Sequence, residues 1–314
     1  SIINGELEAG DEKITTKDPS AYLRKTLSKY KSPRLDYLPP FTGGLVGYFG
    51  YDYIKYSEPE LALTAEDDGN FKDVDLMLFD KLIAFDHLEE KIIIIVNIQT
   101  DEIKKNYADG IDEIKKIKSL IDNQPIIEPQ TPVIKEDFKP LFDKEQYQNM
   151  LTRAKHYIRE GDIFQVVLSN RLEAKMEGSL LRPYEILRNL NPSPYMFYFS
   201  SDDIEIAGAS PETLVKLENK TLSTYPLAGT RPRGETDNED KALEQSLLSD
   251  EKELAEHNML VDLGRNDIGK ISEFGSVHVE GCHKILRFSH VMHIGSTVRG
   301  TIRSDRAALD AVDS

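Results

Sequence analysis

The chain has 314 residues, long enough for one large or two ordinary domains, with 39 Lys and Arg set against 55 Asp and Glu for a net charge of −16. That balance opposes binding to a nucleic-acid backbone or to an anionic membrane, and no apolar run is long enough to cross a bilayer. A single cysteine, Cys282, allows no intramolecular disulfide, and no signal-like segment opens the sequence, so the expected location is cytoplasmic and Cys282 reads as a small strand residue.

In chain order, Asp18 and Pro19 form a cap-and-start signal for a helix to Tyr30, with Tyr22, Leu23 and Leu27 at helical spacing. The glycine-rich Gly43 to Asp52 lacks both the Gly-Lys-Ser/Thr ending and the GxGxxG order of phosphate loops, so it reads as a glycine-punctuated core strand. Asp75 to Phe85 and Lys91 to Ile98 are apolar, β-branched runs joined by polar residues 87–90, a hairpin signature. Ile103 to Ile121 carries the period of an amphipathic helix.

Prolines 125, 129, 132 and 140 mark the best linker, dividing an N-terminal region (1–130) from a second region (141–314) at residues 125–140. Asp143 with Gln146 is a capping-box start for a helix that Gly161 ends. Gly161 to Lys175 then reads as a long strand with Ile163, Gln165 and Val167 on one face. Pro183 opens a short helix to Leu190, and strand-like runs follow to Gly229. Successive strands and outer helices point to an antiparallel α+β class.

Asp250 to Asp267 reads as one helix, and its polar side chains are its most informative feature. Glu253, Glu256 and His257 are spaced to lie near one face, with Leu254, Met259, Leu260, Val261 and Leu263 as apolar flank. Two neighbouring carboxylates repel unless a cation offsets them, and a hard ion such as Mg2+ takes carboxylate and substrate oxygens. A solvated acidic face has the same spacing.

Asn-Pro-Ser-Pro-Tyr-Met-Phe-Tyr-Phe (from Asn191), Ala-Gly-Ala-Ser-Pro-Glu (to Glu212), Tyr-Pro-Leu-Ala-Gly-Thr-Arg-Pro-Arg-Gly (to Gly234), Lys-Glu-Leu-Ala-Glu-His (to His257) and Phe-Ser-His-Val-Met-His-Ile (to Ile294) occur in this order. Together they resemble the chorismate-binding enzymes, most closely the anthranilate synthase large-subunit type. The resemblance implies two large antiparallel sheets packed as a sandwich with helices outside, chorismate as substrate, and Mg2+ as cofactor. It also implies a separate glutamine amidotransferase subunit supplying ammonia, and tryptophan as feedback inhibitor.

Carried over by position, the resemblance implies that Glu256 holds Mg2+ on the substrate's ring carboxylate, with Glu253 as its acidic support. Glu212 matches the proposed general acid for loss of the ring hydroxyl, a role that needs an apolar setting. Gly229 and Thr230 match substrate contacts, and His293 matches the histidine tied to pyruvate elimination; His290 would face the other way on a strand.

Gln165 stands where water-adding members of the family have a lysine base, which favours ammonia as nucleophile. Ala228 stands where aminodeoxychorismate-forming members have a lysine nucleophile, which removes that covalent route. Asn191, Pro192, Ser193, Pro194, Tyr195 and Met196, with Gly208, match the tryptophan pocket. The implied function is conversion of chorismate and ammonia to anthranilate and pyruvate; the alternatives are aminodeoxychorismate synthesis or a non-catalytic tryptophan-binding module. The sequence begins after the family's Leu-Glu-Ser segment and stops just past a helix start at Ser304 and Asp305, so the expectation is a fragment lacking both ends.

Overall fold

The computed structural model describes residues 1–314 except 62, 64–66 and 68. The strands run β1 (Ile2–Ile3), β2 (Glu6–Ala9), β3 (Glu12–Thr15), β4 (Gly44–Phe49), β5 (Val74–Phe79), β6 (Lys81–Asp86), β7 (Lys91–Val96), β8 (Val133–Ile134) and β9 (Lys139–Pro140). They continue β10 (Leu172–Glu173), β11 (Met176–Glu177), β12 (Tyr195–Ser200), β13 (Glu205–Ser210), β14 (Lys216–Glu218), β15 (Thr221–Thr224), β16 (Leu227–Pro232), β17 (His278–Arg287) and β18 (Val291–Thr301). The helices are α1 (Pro19–Ser28), α2 (Ile54–Ser57), α3 (Ile103–Asn123), α4 (Lys144–Glu160), α5 (Leu181–Leu190), α6 (Asp237–Leu248), α7 (Glu251–Ile271) and α8 (Ala308–Asp313). Among the described residues every strand pairing is antiparallel, in keeping with the α+β class.

The chain forms two compact units, one of residues 1–126 with 212–314, the other of 127–211. This differs from a linear split, because the chain leaves the first unit and returns to it. Residues 125–140, read as a linker, contain β8 and β9, which pair with β11 and β10.

The first unit holds two five-stranded sheets. One is ordered β3-β2-β1-β5-β4; the other is β14-β15-β18-β16, with β17 also on β18. Each has its own core: Ile2, Leu7, Tyr53 and Val74 in the first, and Leu222, Val261, Ile268, Ile271, Val298, Ile302 and Ala311 in the second. Fully burying side chains of this size contributes roughly 1.5–3 kcal/mol apiece. The run from Asp75 to Phe85 is two strands rather than one: Asp80 separates β5, in the first sheet, from β6, which pairs only with β7 among the described residues.

Helix α7 lies on the second sheet because residues 257, 261, 264, 268 and 271 form one stripe at helical spacing. His257, Val261, Ile268 and Ile271 are buried, and a Cβ on Gly264 would come within 2.9 Å of Thr224 Cγ2. Of the apolar flank read from sequence, Leu263 is instead 49% exposed. At α8 the amide of Ala307 is capped by Asp310 (2.7 Å), not by Ser304 or Asp305, since the helix starts later than those residues.

In the second unit α4 has the expected ends: the Asp143/Gln146 capping box is formed, and Gly161 takes φ +84, a left-handed cap that suits glycine. The expected long strand from Gly161 to Lys175 does not form. Only Leu172–Glu173 pairs, with Lys139–Pro140, and Phe164 and Val167 are 88% and 85% exposed. Alternating apolar residues make a strand only where a neighbour completes the ladder, and the described residues supply none for 162–170.

Candidate active site

The site grows from an irregularity in β16. Its pairing with β18 shifts between Ala228 and Thr230, and Gly229 there has φ +72, a conformation costly to any residue with a side chain. The shift sets Thr230 opposite His293. His293 Nδ1 lies 3.0 Å from Thr230 Oγ1 and 3.1 Å from the Gly229 carbonyl oxygen. A carbonyl can only accept, so this geometry is that of Nδ1–H donating, and the Nε2 of the neutral ring is left to take a proton. Phe288 meets the ring edge-on, with centroids 5.6 Å apart.

The chain beyond β16 is clamped. Arg233 grips Asp240 through Nε and NH2 (2.9 and 2.6 Å to Oδ2) and donates to the Phe288 carbonyl (2.8 Å), holding the segment that supports His293. The guanidinium, followed by the Gly234 amide, keeps the Asp240 carboxyl below its usual range.

Across this strand lies the first turn of α7, capped by Asp250, whose carboxylate accepts from the amides of Lys252 and Glu253 (3.1 and 3.3 Å). The Glu253 amide and then the Arg231 side chain lower the Asp250 pKa. Arg231 donates to Asp250 Oδ2 (2.8 Å) and to the Thr230 carbonyl (2.9 Å), and its NH1 sits 3.8 Å from Glu253 Oε1. Glu253 reaches to Gly229: a Cβ there would be 3.2 Å from Glu253 Oε2, and equally close to Ile294 and Leu247. Glu256, one turn along, is half-buried and has no hydrogen-bond or ion-pair partner among the described residues.

His257 does not join the carboxylates. It is fully buried, with Nε2 2.7 Å from Ser296 Oγ on β18 and Nδ1 without a partner. Burial, then the nearby His283, pushes its pKa down to about 4, so the ring is neutral near pH 7. His283 is held at φ +56, its amide donating to Ser296 Oγ (3.1 Å) and its ring bonded to Asn258 (2.8 Å).

Of the residues singled out from sequence, Gly229, Thr230, His293 and Glu253 are thus brought together, with Glu256 on the same helix. Ala228 is buried in β16 opposite Ile294. His290 precedes β18 and is exposed. Glu212 follows β13 and is exposed, so the apolar enclosure its proposed role calls for is not built by the described residues. Gln165 belongs to the other unit, exposed in the segment that forms no strand.

Asn191, Pro192 and Pro194 are exposed ahead of β12, Ser193 and Met196 are half-buried, and Tyr195 is 47% exposed. Gly208 lies under Phe197, whose Cζ would come within 2.4 Å of an added Cβ, which alone accounts for glycine there. Arg231 and Ser296 were not singled out from sequence. The one available signal was a charged residue immediately after Gly229 and Thr230.

Carboxylate oxygens suit Mg2+, and an unpartnered Glu256 beside a second carboxylate fits the one- or two-carboxylate sets that such an ion completes with substrate oxygens and water. No group of three His, Cys, Asp or Glu side chains is placed to hold a metal among the described residues.

Comparison with known proteins agrees with the motifs. The family model for the chorismate binding enzyme matches residues 3–314. Anthranilate synthase component 1 of Acetivibrio thermocellus is 43% identical over 313 residues, covering 97% of this chain and 63% of the relative. That of Aquifex aeolicus (strain VF5) is 43% identical over 302 residues, covering 95% and 61%. The crystal structure of anthranilate synthase component I from Streptococcus pneumoniae TIGR4 superposes with a TM-score of 0.87 at 35% identity, covering 99% of this chain and 68% of that one. This chain belongs to the chorismate-binding enzyme family. It spans just over three fifths of the length of the two curated relatives named.

Proposed function

We propose that this chain carries the chorismate site of an anthranilate synthase large subunit, which converts chorismate and ammonia to anthranilate, pyruvate and water. The observation that supports it most is the joining of Thr230, the Gly229 carbonyl and His293 on two adjacent strands, beside the α7 carboxylates. The relatives named above bear the same function in their names.

In this reading His293, oriented by its Nδ1–H bond, presents Nε2 to accept the ring proton whose loss accompanies pyruvate departure and aromatisation. Thr230 and the Gly229 backbone orient the substrate. Glu256, with Glu253 beside it, would hold Mg2+; when bound, the ion offsets the charge of the ring carboxylate and draws electron density from the ring. Gln165, an amide, cannot deprotonate water, which supports ammonia as nucleophile, and Ala228 offers no covalent route to the amino-deoxy product. Glu212 as general acid rests on the family resemblance.

The reading extends to partners and place. Ammonia comes from a separate glutaminase subunit, as the family resemblance implies. Tryptophan binds the Asn191–Met196 segment as inhibitor, and a single cysteine fits a reducing cytoplasm. Among the described residues no helix is long and apolar enough to cross a membrane.

The test is product fluorescence. An intact protein containing this chain, given chorismate, ammonium and Mg2+, should form anthranilate. With glutamine alone it should be inactive until a glutaminase is added. Isochorismate or aminodeoxychorismate as the sole product would overturn the reading.

A further inference from the structure

The two α7 carboxylates stand on one helix three residues apart, yet they meet different surroundings. Glu253 is 19% exposed at its side chain and faces a cation at 3.8 Å; Glu256 has no partner among the described residues. The cation is Arg231, itself only 22% exposed and fixed at two other points, the Asp250 carboxylate and the Thr230 carbonyl. A planar guanidinium tied in this way cannot follow Glu256 down the helix. Gly229 enforces the arrangement, since the absence of a Cβ leaves room for Glu253 Oε2 at the strand.

We propose that Arg231 is a positioning residue that divides the labour of the two carboxylates. It takes Glu253 as its ion-pair partner, pinning the first turn of α7 to β16, and so leaves Glu256 as the one uncompensated charge for a divalent cation. The second half of this statement rests on the Mg2+ assignment above; the first half does not. The arrangement keeps two adjacent carboxylates from acting together as a stronger, less discriminating chelate. It also ties the strand bearing Gly229 and Thr230 to the helix bearing Glu256 through a charge that substrate and metal do not displace.

The experiment has a metal-free arm and a metal arm, both on the intact protein. In chelator, Glu253→Gln should lower the melting temperature of the wild type, because it strips a partner from Arg231. In an Arg231→Gln background the same change should raise it, because it then removes an uncompensated carboxylate next to Asp250. A merely structural arginine predicts the same sign in both backgrounds, and that result overturns the pairing.

In the second arm Mn2+ is the probe, its binding followed by electron paramagnetic resonance. Arg231→Gln should tighten binding about threefold to tenfold, as Glu253 becomes a second free carboxylate, in line with one charge removed from a half-buried pair. The gain should vanish in Arg231→Gln/Glu253→Gln and be absent in Arg231→Lys. Unchanged or weaker binding in Arg231→Gln overturns the division of labour. If instead Glu256→Gln leaves wild-type Mn2+ binding untouched, the metal reading itself fails, while the chelator arm still decides the pairing.

Discussion

Two polar clusters in the first unit are built from similar groups and finished differently. Where α8 meets α1, Ser20 and Tyr53 are buried with their oxygens 2.8 Å apart, and each donates to Asp313 (2.9 and 3.0 Å). Arg24 adds ion pairs to Asp310 and Asp313 (2.8 and 3.7 Å). Every member has an opposite number. On α7, among the described residues, a half-buried carboxylate has none and a fully buried imidazole leaves one nitrogen without a partner. Folding favours the first kind of cluster, since an unpaired polar group taken out of water costs about 1–3 kcal/mol. The second kind costs stability, so it is the place to test for function.

The sharpest way to break this contrast is Glu256→Gln. Turnover of an intact protein should fall by roughly 30-fold to 1000-fold, the loss of one preorganised electrostatic group worth about 2–4 kcal/mol of barrier, while the melting temperature holds or rises. A sharp drop in melting temperature with turnover of the folded fraction unchanged would make α7 scaffold and erase the distinction.

Alkaline pH tests the satisfied cluster. Burial, and behind it the Asp313 carboxylate, pushes Tyr53 up to about 12 from an ordinary value of 10. The folded state therefore keeps a proton that the unfolded chain releases above pH 10, so stability should decline from pH 10 and the loss level off near pH 12. The full contribution is about 3 kcal/mol, read as the difference in chemical denaturation between wild type and Tyr53→Phe along that pH series. Parallel curves for the two proteins would show that the hydroxyl is not held as described.

The smallest expected effect is that of Asp313→Asn. It retains one acceptor oxygen but removes the charge, so about 1 kcal/mol of stability should go and anthranilate formation by the folded protein should be unchanged. Loss of activity at constant stability would mean that the satisfied cluster is functional after all.

How much of this was legible in the sequence depended on the distance over which each feature is determined. Both ends of α4 were readable because Asp143, Gln146 and Gly161 act on their own backbone. The antiparallel class was readable from alternating runs and turn residues. Gly161 to Lys175 has a strand's alternation, but a ladder needs a neighbour, and local pattern carries no information about one.

At the site, the motifs located Gly229, Thr230 and His293, whereas their union depends on a one-residue shift in pairing that Ala-Gly-Thr does not announce. The spacing of Glu253, Glu256 and His257 suggested one shared surface. A helix sinking into a sheet resolves residues one position apart, so His257 is in the core and Glu256 at its margin. Arg231 was illegible as a partner because the approach of α7 selects it.

Ser296 shows what such a layout means for substitution. Its single hydroxyl is shared by the His257 ring on α7 and the backbone amide of His283 on β17, and it sits three residues from His293 on the same strand. Helix α7 and strands β17 and β18 therefore share one small atom group, and a change at any of these positions is felt by the other two. Substitutions at Ser296, His257 and His283 should therefore act as a coupled set whose effects on stability do not add, even though none of the three needs to touch a substrate.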